Sequence, residues 1–251
     1  MTSSSTAIPS QLLPADMYSR WFNTPRFVPD EPWVGLDLAA TAVVLVDMIN
    51  WQAHPVGASI LALRDAGADE QADYLQARCE TLVIPRLKSV LDTARRSEVA
   101  IVHARLASRS PDYTDVVPAF QPYMRGAGAA VGQPSVEPLD GLWAPGDISV
   151  VKHGSSAFAS DLHAVLRNRS VHTVLYAGVV TSACVLLSTA AGFDLGYRQY
   201  LLSDCTAAFS DEDQDDAERL IGRYLARVVC AAAAIEAMDS ASAIATDRSL
   251  E

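Results

Sequence analysis

The sequence predicts a three-layer αβα sandwich around a mainly parallel sheet of about six strands. Three observations predict it. Short apolar runs recur along the chain, beginning with Thr41-Ala-Val-Val-Leu-Val46. Segments with helical spacing or turn residues separate them. Several runs end in a charged residue, among them Asp47, Lys152 and Asp204. An apolar run without polar alternation suits a strand covered on both faces, as in a parallel sheet.

The elements follow in order. Met1–Leu36 is rich in proline, serine and aromatics and reads as an arm, so the chain divides into an arm (1–36), a domain (37–238) and a tail (239–251). Thr41–Asp47 is the first strand. Asp69–Glu98 has helical character, with Leu75, Leu82, Leu87, Val90 and Leu91 at roughly helical spacing and a kink or break expected at Pro85. Val99–Ala104 is the second strand. Arg105–Gly146 carries Pro111, Pro118, Pro122, Pro134, Pro138 and Pro145 without periodicity, as functional loops do. Ile148–Lys152 is the third strand, and Ser160–Asn168 a short helix capped by Ser160. His172–Gly178 is the fourth strand. Ser182–Leu195 is a helix closed by Gly196, and Arg198–Ser203 the fifth strand. Asp211–Leu225 is a helix whose acidic first turn suits its dipole. Arg227–Cys230 is the sixth strand, followed by an alanine-rich helix. Right-handed crossovers put every strand's carboxyl end on one edge, in a Rossmann-like arrangement whose ligands bind there.

Composition narrows the function. A net charge of −11 argues against nucleic acid and against an anionic membrane surface as partners. No apolar run reaches transmembrane length, and the Ser-rich opening lacks the apolar core of a secretory leader. Cys79, Cys184, Cys205 and Cys230 form no CxxC pair and read as thiols, so a cytoplasmic protein is expected. His54 and His103 are isolated, and no metal site or cofactor is expected.

Three chemistry-bearing residues fall at the predicted edge. Asp47 ends the first strand, Lys152 the third, and Cys184 opens the helix after the fourth. Lys88 and Lys152 are the two lysines of the chain, so one at a strand end stands out. A helix N-terminus and a neighbouring lysine both favour a thiolate at Cys184. Alone, each residue has a plainer reading: a core thiol, a loop carboxylate, a surface lysine.

The segment Gly178-Val-Val-Thr-Ser-Ala-Cys-Val185 resembles the nucleophile turn of the isochorismatase-like cysteine hydrolases. Val44-Leu-Val-Asp-Met-Ile-Asn50, Val150-Val-Lys-His-Gly-Ser-Ser-Ala-Phe158 with Asp161-Leu162, and Gly196-Tyr197 with Leu202-Ser-Asp204 resemble three further blocks of that family, in the same order. The resemblance implies a Cys184–Asp47–Lys152 triad and acyl transfer through a thioester. It implies a cis peptide at Val179-Val180 and an oxyanion hole from the Val180 and Cys184 amides. It implies a small-molecule substrate and assembly as a dimer or tetramer. Asn50, Trp51, Arg105 and Phe158 are the candidate substrate-binding residues; for Arg105 the choice is between bidentate contact with a carboxylate and the plainer surface salt bridge, and for Phe158 between a pocket wall and a core aromatic. Ile49 departs from the family, which often has glutamine there. The expected reaction is hydrolysis of a C–N bond in a small amide, ureide or carbamoyl compound. Isochorismate-type vinyl-ether hydrolysis and a non-catalytic assembly role are the alternatives.

Overall fold

The computed structural model describes residues 36–248. The predicted arm, Leu36 apart, and residues 249–251 lie outside the described residues. Six strands form one wholly parallel sheet: β1 (Thr41–Val46), β2 (Ala100–Leu106), β3 (Ile148–Lys152), β4 (Thr173–Val179), β5 (Arg198–Ala207) and β6 (Arg227–Val229). Their order is β3-β2-β1-β4-β5-β6. The chain therefore starts at the centre, builds one half, then crosses over β1 to build the other. That reversal opens a crevice between the carboxyl ends of β1 and β4.

Nine helices are described: α1 (Asn50–Ala53), α2 (Ala58–Asp65), α3 (Asp69–Arg78), α4 (Ile84–Arg96), α5 (Gln121–Gly126), α6 (Leu162–Asn168), α7 (Leu186–Asp194), α8 (Asp211–Tyr224) and α9 (Ala231–Arg248). The sequence reading assigned no element to α1, α2 or α5. Strand β1 shows why its sequence is apolar throughout. Val43 and Leu45 enter a core with Leu75, Leu87, Leu91 and Met238, from α3, α4 and α9. Ala42, Val44 and Val46 enter the opposite core with Leu162, Leu166 and Ile221, from α6 and α8. Burying each such Val or Leu stabilises the fold by about 1.5–3 kcal/mol.

The α-helical run is interrupted just before Pro85, which then sits in the first turn of α4. Cys79–Val83 widens into a π turn between α3 and α4, and the Ile84 amide donates to the Cys79 carbonyl. A proline at the first turn of α4 has no N–H to satisfy, and the wider turn accommodates its ring. The fifth strand runs to Ala207 rather than Ser203. A register shift opposite Tyr176 and Gly178 lets Thr206 and Ala207 pair with Gly178 and Val179. Gly178 has φ +115°, and a Cβ there would lie 2.0 Å from the Val46 carbonyl oxygen. Only glycine lets β4 come this close to the end of β1. The segment Arg105–Gly146, read from sequence as irregular, begins with the end of β2 and then folds over the edge through a third cluster. Tyr113, Val116, Met124, Ala129 and Val136 pack there on Ile49, Trp51 and Leu106.

Asp147 anchors the end of that segment. Its Oδ2 accepts from Arg95 at 2.7 Å and from the Ala144 amide at 3.0 Å, and lies 3.2 Å from His103 Nε2. Burial pushes this carboxyl up, but the His103, Arg95 and Ala144 hydrogen bonds outweigh it and hold the group down at about 2. A depressed carboxylate stabilises the fold above its unfolded value of 3.8, and that stability is lost as pH falls towards 2. Asp147→Asn is therefore expected to cost about 1–2 kcal/mol at neutral pH, allowing for solvent screening. The difference from wild type should shrink between pH 4 and pH 2. Urea unfolding across that range checks it; a constant difference would contradict the assignment.

Candidate active site

The three residues named from sequence meet at the carboxyl edge of the sheet. Lys152 ends β3, and its register partner on β2 is Leu106. Asp47 follows β1 with φ +55°, a left-handed conformation that aspartate adopts more readily than most residues. The Asp47 amide donates to the Ala104 carbonyl at 2.9 Å, and the Ile49 amide donates back to the Asp47 carbonyl at 2.8 Å. This tight turn points the carboxylate across the sheet end. Cys184 lies in a π turn, Thr181–Val185, that leads directly into α7.

Lys152 connects the other two. Its Nζ lies 2.8 Å from Asp47 Oδ2 and donates to Cys184 Sγ at 3.5 Å. It also donates to the carbonyls of Gly154 at 3.0 Å and Ser155 at 2.9 Å. Asp47 Oδ1 accepts from the Leu106 amide at 2.8 Å. Apart from the ion pair, Asp47 Oδ2 has no hydrogen-bond partner among the described residues, so it keeps a lone pair for an incoming proton. Asp47 and Lys152 are fully buried, while Cys184 is 8 % exposed. Two charges without solvent persist only when paired and hydrogen-bonded, and both conditions hold here.

The electrostatics differ from the sequence expectation in one respect. Burial, then the Asp47 charge, push the Cys184 thiol up to about 12, against the pull of Lys152. Burial thus opposes the thiolate that a helix N-terminus and a lysine were expected to favour. Desolvation outweighs both. Burial also raises the Asp47 carboxyl, against the Lys152 ammonium. A raised carboxyl is a stronger base, and it faces the thiol proton it would accept.

The sulfur opens on a cavity of about 320 Å³. Trp51, Phe120, Tyr123 and Phe209 give it aromatic walls, with Leu63, Leu75, Leu106, Val180 and Ala183 between them. Val180 and Cys184, the expected oxyanion-hole pair, both line it, and the Val179-Val180 peptide is cis. Of the four candidate substrate-binding residues, the structure brings only Trp51 to this cavity. Asn50 donates from Nδ2 to the Pro134 carbonyl at 2.8 Å and lines a separate depression with His54. Phe158 stacks on Tyr197 with ring centroids 5.6 Å apart. Arg105 is adjacent to Leu106, and the strand pleat sends it to the opposite face. Its guanidinium donates to Ser149 Oγ, the Val136 carbonyl and Glu137. Among the described residues, no group of three or more His, Cys, Asp or Glu side chains could hold a metal ion, and no helix is long and apolar enough to cross a membrane.

Two residues missed from sequence fix the nucleophile turn. Ser188 Oγ donates to the Cys184 carbonyl at 2.5 Å and accepts from the Ala157 amide at 2.8 Å. It thereby ties α7 to the loop after Lys152. Thr181 donates to Gln214 Oε1 at 2.8 Å, and Gln214 Nε2 donates to Thr206 Oγ1 and Glu218. A serine one turn into a helix or a glutamine on an acidic helix carries no sequence mark of such a role. Gln214→Leu is expected to lower kcat about 10- to 100-fold with KM little changed, because the turn loses its anchor while the cavity walls stay. Steady-state kinetics checks it; unchanged kcat would limit Gln214 to packing.

A doubly wound parallel sheet with a cysteine, a carboxylate and an ammonium gathered at its switch point defines the class. The chain belongs to the isochorismatase family: the Isochorismatase domain profile matches residues 41–233, which include all three side chains. It is 29 % identical over 189 residues to the ureidoacrylate amidohydrolase RutB of Caulobacter segnis, covering 69 % of this chain and 74 % of that protein. The crystal structure of a cysteine hydrolase from Pseudomonas syringae pv. phaseolicola superposes with a TM-score of 0.69 at 26 % identity, covering 82 % of this chain and 95 % of that one. N-carbamoylsarcosine amidase from Thermoplasma acidophilum superposes with a TM-score of 0.56 at 25 % identity, covering 76 % and 96 %.

Proposed function

We propose that the protein is a cysteine-dependent hydrolase that cleaves the C–N bond of a small amide, ureide or carbamoyl compound. The observation that carries this reading is the Lys152 ammonium in contact with both the Asp47 carboxylate and the Cys184 sulfur, which lines a cavity. The names of the relatives support the same bond type.

In this reading, substrate enters with its carbonyl carbon against Cys184 Sγ. As the S–C bond forms, the thiol proton passes to Asp47. A thiol held near 12 is a poor resting nucleophile but a strong one once deprotonated, so transfer and attack are coupled. The Val180 and Cys184 amides receive the developing oxyanion. Asp47 then gives its proton to the leaving nitrogen, the C–N bond breaks, and ammonia or an amine departs from a thioester. Water enters and loses a proton to Asp47 as its oxygen adds to the thioester carbon. Collapse breaks the S–C bond, and the proton returns to sulfur. Lys152 offsets the negative charge on carboxylate or sulfur throughout.

The test is stoichiometric release of ammonia or amine from a panel of small amides, ureides and carbamates, with mass spectrometry of the quenched enzyme. Expected are turnover and an acyl adduct on the Cys184 peptide, both absent in Cys184→Ala. Turnover that survives Cys184→Ala would retire the covalent route.

A further inference from the structure

We infer that the cavity selects an uncharged amide with an apolar acyl group, of about the size of a benzamide, and rejects amides that carry a carboxylate. The inference takes its scissile bond from the function proposed above; the choice of occupant comes from the walls alone.

Most of the lining of the cavity is aromatic or aliphatic, with Trp51, Phe120, Tyr123 and Phe209 beside Leu63 and Leu75. Its volume of about 320 Å³ is at the small end of the usual range for ligand pockets. The polar groups it holds are mostly committed to the protein. Trp51 Nε1 donates to the Leu106 carbonyl at 3.1 Å, and Tyr123 donates its hydroxyl proton to Ser59 Oγ at 2.7 Å. The Gln52 carboxamide lines the cavity, and no hydrogen bond engages it among the described residues. It is neutral, and it suits a carbonyl, an N–H or a ring nitrogen on the substrate.

Among the described residues, no arginine, histidine or lysine lines the walls. The cations nearby in the chain are spent elsewhere. Arg64 pairs with Asp73, Arg78 donates to the carbonyls of Thr206 and Ser203, Arg105 pairs with Glu137, and Arg109 pairs with Asp161. Lys152 is paired with Asp47 beneath the sulfur. A substrate carboxylate would lose its water here and gain no cation. Desolvating an unpaired carboxylate costs far more than one neutral donor returns. This separates the chain from the relatives named above, since an acrylate and a sarcosine each carry a carboxylate. An apolar acyl group meets the opposite case, with its whole surface leaving water for hydrocarbon.

Benzamide and 4-carbamoylbenzoate form a matched pair, alike except for one remote carboxylate. Both are assayed for ammonia release by the wild-type enzyme and for binding to Cys184→Ala by calorimetry. The expected result is preference for benzamide by at least about 100-fold in both measurements. Equal or tighter binding of 4-carbamoylbenzoate, or binding of neither, overturns the inference. Preferential binding of benzamide without any ammonia release supports the inference and removes only the hydrolase reading.

Discussion

Lys152→Met is expected to lower kcat by at least about 10³-fold and to destabilise the fold by about 3–5 kcal/mol. Its ammonium is fully buried and is the only cation within 4 Å of Asp47 among the described residues. Removing it leaves a buried carboxylate with one amide donor, Leu106, for company. Methionine fills much of the lysine volume, so the cost is electrostatic rather than a cavity. A double-mutant cycle separates stability from function. Asp47→Leu with Lys152→Met removes both charges, and replacing a buried pair by apolar groups is commonly neutral or stabilising. The double variant is expected to regain most of the lost stability and none of the activity. Urea unfolding and ammonia release, measured on all four proteins, check this. If the pair exists to hold the fold together, the double variant will stay as unstable as the single one.

The cycle also bears on how much of this protein was legible in its sequence. The sheet was legible because a strand buried on both faces must be apolar throughout, and Val43–Val46 shows that pattern directly. Asp47 and Lys152 end apolar runs and Cys184 opens the next helix, which made them candidates; only the resemblance to the isochorismatase-like nucleophile turn joined them into a triad. The cavity walls were not legible. Phe120 and Tyr123 come from a proline-rich segment with no period, Phe209 from beyond β5, and Leu75 from the middle of α3. Their convergence depends on loop courses that local pattern does not encode. Of the two readings of Arg105, the structure favours the salt bridge, to Glu137; Arg105 and Leu106 are consecutive on one strand, and Leu106 is the one that lines the cavity. Helix-end and lysine effects on the thiol are visible in sequence, whereas the depth of burial that opposes them is not.

Titration of Cys184 provides the second large effect, and its sign distinguishes the two partners. The sulfur is held up to about 12 by burial first and by the Asp47 charge second, while Lys152 pulls it down. At pH 8 such a group is overwhelmingly the neutral thiol. Alkylation of wild-type Cys184 should therefore be slow near neutrality and still rising at pH 10. Asp47→Asn removes the charge that opposes ionisation and should speed alkylation at pH 8 by at least about tenfold, although it abolishes turnover. Lys152→Met removes the charge that favours ionisation and should slow it. Reactivity and catalysis then move in opposite directions in Asp47→Asn, which a general loss of structure does not produce. The measurement is iodoacetamide labelling against pH with peptide mapping, because exposed Cys230 labels in the same sample, while Cys79, buried and pushed up to about 12, serves as the internal reference. Should Asp47→Asn slow the alkylation instead, Asp47 activates the sulfur in the resting enzyme, and proton transfer precedes substrate rather than accompanying it.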